Sequence, residues 1–215
     1  MTKRKDWVDG LRALAMLIVM IWHFSNNVDG QWIYSILTAP IMIPLFFAIT
    51  GYVFNDCDGN ARTFFRKLFY HLIIPWLLLA IIKGGCIALI RQSLSYYTEF
   101  LLNLFTGMNL WYFPCCIIAE ILHFYVLKFS NGNMQKVVLL SIVLVAVGFI
   151  ISTFDISHNL NISTAFICQF FLLLGHLAQA VEKYSLKSKM ANKLSPLAVL
   201  MYAGVCIYLI NTPPQ

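Results

Sequence analysis

The chain has 215 residues, 60% of them hydrophobic and 11% charged, with a formal net charge of +6. A soluble domain of this size cannot hide that much apolar surface, so the composition excludes a water-soluble globule and indicates a polytopic membrane protein. The positive balance is not a nucleic-acid footprint: the basic residues cluster in short connections between apolar runs, as the positive-inside rule expects, and no nucleic-acid partner is anticipated.

Seven apolar segments can be drawn in chain order, at about 8–26, 37–55, 70–90, 110–128, 136–153, 163–181 and 195–211. Each is long enough, or nearly so, to cross about 30 Å of hydrocarbon as a helix. The expected fold is therefore an all-α polytopic bundle in one domain over residues 1–215. Lys3-Arg4-Lys5 before segment one resembles the start of a signal peptide, but Trp22-His23 interrupts the run and no small-residue cleavage site follows. Segment one is accordingly expected to be retained. Pro40 and Pro44 should kink or delay segment two. Residues 91–109 are short enough for a re-entrant or surface element.

Loop charges set the orientation. Lys3, Arg4 and Lys5 precede segment one, and Arg62, Arg66 and Lys67 separate two from three. Lys128 and Lys136 separate four from five, and Lys183, Lys187, Lys189 and Lys193 separate six from seven. The alternate connections carry almost no basic charge, which puts the N-terminus in the cytoplasm.

The six cysteines show neither a C-x-x-C pair nor zinc spacing, so they read as small packing residues and no metal is expected. Asn161-Ile162-Ser163 matches a glycosylation sequon, a weak signal. Lys83 and Glu120 are charges at membrane depth, which require a partner or a wet cavity. They are expected to pair across segments three and four, with an acceptor-site role as the alternative. His71, His123 and His176 read as packing or interfacial residues.

Arg12 and His23 lie eleven positions apart on segment one. That spacing is roughly three helical turns, so both fall on one face about 16 Å apart. His23 can accept a proton near neutral pH and is costly to bury at the far end of a membrane helix. It is either a general base or a hydrogen-bonded packing residue. Arg12 is either a cytoplasmic anchor or a phosphate ligand. Asp9, three residues earlier, is placed to pair with Arg12 and orient it.

Three stretches carry a family resemblance. Trp7-Val8-Asp9-Gly10-Leu11-Arg12-Ala13-Leu14-Ala15 leads to His23; Pro44-Leu45-Phe46-Phe47-Ala48-Ile49-Thr50-Gly51-Tyr52 follows; Leu110-Trp111-Tyr112-Phe113-Pro114 comes third. Phe65-Arg66-Lys67 through Pro75 adds a basic run leading into a proline-started helix. In this order they resemble acyltransferase family 3, the integral membrane O-acyltransferases, and the wording of the second and third resembles the branch that includes fucose 4-O-acetylases.

The resemblance implies transfer of an acyl group, most simply acetyl, from cytoplasmic acyl-CoA to a hydroxyl of a cell-surface or exported glycan, in a bacterial inner membrane. Acyl-CoA is then a co-substrate, the lipid bilayer and the glycan are the other partners, and no cofactor is bound. His23 becomes the catalytic base, while Arg12, Arg66 and Lys67 become acyl-CoA ligands; for Arg66 and Lys67 plain topology remains the competing reading. The second arginine of the family's basic run is missing here, where Tyr70 and His71 stand. Asp9, Tyr52, Trp111, Glu120 and Lys83 take supporting roles. Gly51-Tyr52 is expected to permit a close helix approach. Family members usually have more helices than seven, so the chain reads as C-terminally truncated relative to them. The rival readings are a non-catalytic transporter or scaffold of a glycan-assembly system, and a truncated inactive homologue.

Overall fold

The computed structural model describes residues 5–25, 31–54, 59–92, 94–105, 109–153 and 161–185. Every regular element among them is helical. The chain divides into two compact units, Met1–Phe54 with Leu174–Gln215, and Asn55–Leu173.

The first unit contains α1 (Asp6–Ser25), α2 (Gln31–Val53) and the C-terminal part of α9 (Gln169–Ser185). Asp6 and Asp9 occupy the first turn of α1 and His23 the last, the charge order that the helix dipole favours. Val8 packs against Ile49 and Tyr52 of α2, with Leu11 and Leu45 completing the cluster. The α2 helix runs unbroken past Pro40 and Pro44. The prolines do not delay the helix: in an apolar setting, staying helical is what satisfies its backbone groups.

In the second unit, α3 (Ala61–Leu68), a π-helical turn (Phe69–Ile73) and α4 (Ile74–Arg91) form one continuous helix. Asn60 opens it by accepting the Thr63 N–H at 3.2 Å. Phe64 and Leu68 are buried on one face of α3, while Arg62, Arg66 and Lys67 are exposed. The basic run read as a connection is thus amphipathic helix. Pro75 does not start the helix, as the motif suggested. It lies at the beginning of α4, and the π-turn shifts the register so that the Ile74 N–H reaches the Phe69 carbonyl. One widened turn absorbs the proline's missing donor without ending the helix.

Residues 91–109 do contain a short element, α5 (Leu94–Phe105), which folds back on α4. Ala80 packs with Phe100 and Leu104. A Cβ on Gly84 would lie 2.9 Å from Phe100 and 3.0 Å from Tyr97, so any larger residue obliges these rings to shift. Next come α6 (Tyr112–Ser130), α7 (Met134–Thr153) and α8 (Ile162–Ile167). Asn133 caps α7 by accepting the N–H groups of Gln135 and Lys136. The join from α8 to α9 jogs at Cys168, where buried Gln169 donates its side-chain amide to the Ala119 carbonyl at 2.7 Å.

Among the described residues, four helical stretches are long and apolar enough to cross a membrane: Ala61–Arg91, Tyr112–Ser130, Met134–Thr153 and Ile162–Lys183. They correspond to segments three to six. Segment one coincides with α1, and segment two contributes the shorter apolar stretch Met42–Val53. Segment seven, like Cys57, Cys206 and the loop lysines Lys187, Lys189 and Lys193, lies outside the described residues. Large apolar side chains line the outside of the long helices, including Ile81, Ile82, Leu89 and Ile90 on α4 and Leu139, Ile142, Val143, Phe149 and Ile150 on α7. Patches of this extent suit lipid and not water. The protein is an integral membrane protein, all-helical among the described residues.

Candidate functional site

The first two motif stretches meet in the first unit. Trp7 stands edge-on to the Tyr52 ring with centroids 4.9 Å apart, directly beside the Val8, Ile49 and Tyr52 cluster. The residues that make this contact lie at positions 7, 8 and 11 of the α1 motif and at 45, 49 and 52 of the α2 motif. Both sets follow helical spacing, so each helix offers one apolar ridge to the other. The polar residues of the same motif fall elsewhere on α1. Arg12 and Asp9 form an (i, i+3) ion pair at 3.7 Å, as the spacing anticipated, with both side chains accessible. His23 lies in the last turn of the same helix and is exposed.

Tyr52 is the convergence point. Its hydroxyl accepts a hydrogen bond from Lys5 Nζ and donates one to Glu182 Oε2. Lys5 Nζ also meets Glu182 Oε2 directly at 2.5 Å and sits 4.7 Å above the Tyr52 ring. These partners raise the Lys5 amine above its ordinary pKa, the Glu182 carboxylate most of all. Sequence reasoning singled out Tyr52 but read Lys5 as a topology charge and did not consider Glu182. No local signal links residues 177 positions apart. A close helix approach lies at Ala48 and Tyr52, and the glycine that creates it is Gly175 of α9. A Cβ there would run into the Ala48 carbonyl and lie 2.6 Å from the Tyr52 nitrogen.

The remaining candidates lie in the second unit. Arg66 and Lys67 occupy the exposed face of the last turn of α3. Phe64, on the opposite face, stacks on Phe124 of α6 at 4.3 Å and fixes the rotation of α3. Trp111 precedes α6, half-buried, with its ring edge-on to Tyr112. The turn that delivers it is held by Asn109, whose backbone N–H reaches the Asn103 carbonyl and whose side chain reaches the Phe100 carbonyl. Leu110 adopts a left-handed conformation there, φ 51°, a costly state for a branched side chain.

Lys83 and Glu120 are not brought together. Lys83 is exposed on α4, its ammonium 5.7 Å from the Phe100 ring centroid, and Glu120 is half-buried on α6. The expected ion pair fails because hydropathy places a residue at a depth but leaves the rotation of its helix unspecified. Cys115, Cys116 and Cys168 are buried free thiols, as expected of packing residues, whereas Cys86 is exposed. His123 is fully buried, while His71 is exposed.

The model of the family described as an acyltransferase domain, acyltransferase family 3, matches residues 5–214. The chain belongs to acyltransferase family 3. The match covers both units and all three motif stretches, so the resemblance carried by residues 7–114 extends through the C-terminal half. A curated relative named amino-acid racemase, from Enterococcus faecalis, is 22% identical over 218 residues, covering 87% of this chain. The chain spans 30% of that relative's length. No solved structure matches.

Proposed function

We propose that this membrane acyltransferase moves an acetyl group from cytoplasmic acetyl-CoA to a hydroxyl of a cell-surface or exported glycan, working in a bacterial inner membrane with its N-terminus in the cytoplasm. The observation that supports this best is the pairing of an arginine and a histidine on one helix of a chain in this family. Arg12 and His23 both lie on α1 and both are accessible, eleven residues apart. Acyl-CoA carries its phosphates at one end and its thioester at the other, so the molecule needs a cation at the membrane surface and a base farther along the helix. Arg12 is the cation, forming charge-assisted hydrogen bonds with phosphate, and Asp9 holds the guanidinium in position. His23 takes the proton of the acceptor hydroxyl as its oxygen attacks the thioester carbonyl carbon. The C–S bond then breaks, the CoA thiolate leaves and is protonated, and the acyl group ends as an ester.

Arg66 and Lys67 add positive charge for the nucleotide end of acyl-CoA. Trp111, Glu120 and Lys83 take supporting roles on the acceptor side. The racemase name belongs to a protein of which this chain covers 30% and lends no activity to it.

Membranes carrying the chain, or its His23→Ala variant at matched expression, are supplied with labelled acetyl-CoA, and label in surface glycan is counted. Loss of the base should lower incorporation by about 10²–10⁴-fold. Equal incorporation by both, above membranes lacking the protein, would remove His23 as the base. No incorporation by either would count against acetyl transfer to glycan.

A further inference from the structure

Glu182 is an oddly placed carboxylate. It lies in the last turn of α9, where the helix dipole favours a cation. It is held there by two donors that converge on a single oxygen: Lys5 Nζ and the Tyr52 hydroxyl both reach Glu182 Oε2. The Lys5 and Glu182 side chains are 40% and 38% accessible, so solvent and solutes reach the contact. One ammonium and one hydroxyl aimed at one anionic oxygen, at the surface, are the donors that a phosphate oxygen takes. An exposed carboxylate ion pair is weakly held. A phosphate brings more charge and further acceptor oxygens to the same donors.

We infer that Lys5 and Tyr52 form a seat for a phosphate group, and that Glu182 occupies this seat as an internal competitor until a phosphate displaces it. The inference rests on the acyl-CoA reading only for the identity of its preferred ligand; the chemistry of the seat stands without it. The phosphate comes from a soluble nucleotide such as the bisphosphorylated adenosine of CoA, or from an anionic lipid headgroup. On displacement, the Glu182 carboxylate swings into water, Lys5 exchanges one anion for another, and no bond is made or broken. The seat is thus held by Glu182 without ligand and by phosphate with it, and α9 is released from the start of α1 and the end of α2 when the exchange occurs. Gly175, packed against Ala48 and Tyr52 seven residues before Glu182, keeps α9 docked on α2 while its last turns move.

The test uses the full chain in phosphatidylcholine nanodiscs and adenosine 3′,5′-bisphosphate as probe, with affinity read by calorimetry. Glu182→Gln keeps the shape and removes the competing charge, so it should bind the probe about twofold to fivefold more tightly than the native chain. Lys5→Gln should bind at least about tenfold more weakly, and Tyr52→Phe should weaken binding by a smaller factor. A single cooperative melting transition identifies folded variants, and Tyr52→Phe carries the test should Lys5→Gln misfold. A second arm incorporates phosphatidylglycerol and counts the lipids that each purified variant retains. Enrichment of phosphatidylglycerol by Glu182→Gln, with no gain for the nucleotide, assigns the seat to lipid. A Glu182→Gln variant that gains affinity for neither overturns the proposal. Ordered probe affinities with no acetyl transfer would sink the transfer reading and keep the seat, whereas His23-dependent transfer with unordered affinities would do the reverse.

Discussion

Gly175→Ala tests the tightest contact in the first unit. An added methyl would lie 2.6 Å from the Tyr52 nitrogen and nearer still to the Ala48 carbonyl oxygen, whereas ordinary contact begins at 3.4 Å. Both obstacles are backbone atoms of α2, so no side chain can turn aside. The helices must part by upwards of about 0.8 Å, and every contact made across that line weakens with them. Overpacking of this kind costs about 1–3 kcal/mol, and a rigid obstacle puts it toward the upper end. Alanine's better helix propensity returns roughly 0.5–1 kcal/mol. The net loss is about 2 kcal/mol, a fall of roughly 4–8 °C in melting temperature for a chain of this size. Thermal unfolding in nanodiscs, followed by tryptophan fluorescence, measures it. Gly85→Ala is the control, because nothing lies within 4 Å of a Cβ there, and it should melt at or slightly above the native temperature. A Gly175→Ala protein as stable as the native chain would refute the close approach of α9 to α2.

Gly84→Ala should cost about 1 kcal/mol, less than the change at 175, because the atoms it meets belong to the side chains of Phe100 and Tyr97, which can rotate; the same melting assay ranks the two. Asp9→Asn should change stability by under about 0.5 kcal/mol, since its pair with Arg12 is accessible. Steady-state kinetics should show the KM for acyl-CoA rising while kcat holds, the mark of a residue that positions a ligand contact. Lys5 predicts a pH signature. Its pKa is raised above 10.5 by Glu182 and Tyr52, so its contribution is complete below the unfolded value and disappears as pH rises through the higher folded value. The melting difference between the native chain and Lys5→Gln should be level from neutrality to about pH 9 and shrink at higher pH; a difference that grows with alkalinity would contradict the contact.

Much of this protein is written in local pattern. Apolar runs long enough to span hydrocarbon are properties of contiguous residues, so segments three to six appear as helices close to where hydropathy puts them. The pairing of Asp9 with Arg12 is equally local, because (i, i+3) neighbours on a helix meet whatever else the chain does. Family membership was legible for the same reason: its motifs are short words read along the chain. Local pattern failed where satisfied hydrogen bonding outweighed residue preference. Pro75 was expected to start a helix and Pro40 and Pro44 to kink or delay one, yet Pro75 follows a π-turn inside a longer helix and α2 begins ahead of both its prolines. Only the tertiary structure decided which faces meet. Hydropathy carries no information about helix rotation, so Lys83 and Glu120 were wrongly expected to pair. The contact of Lys5 with Glu182 depends on the start of α1 and the last turn of α9 being brought to the end of α2. That meeting comes from α1 packing on α2 and from a glycine on α9 that lets two backbones touch, and neither is a property of any one stretch of residues.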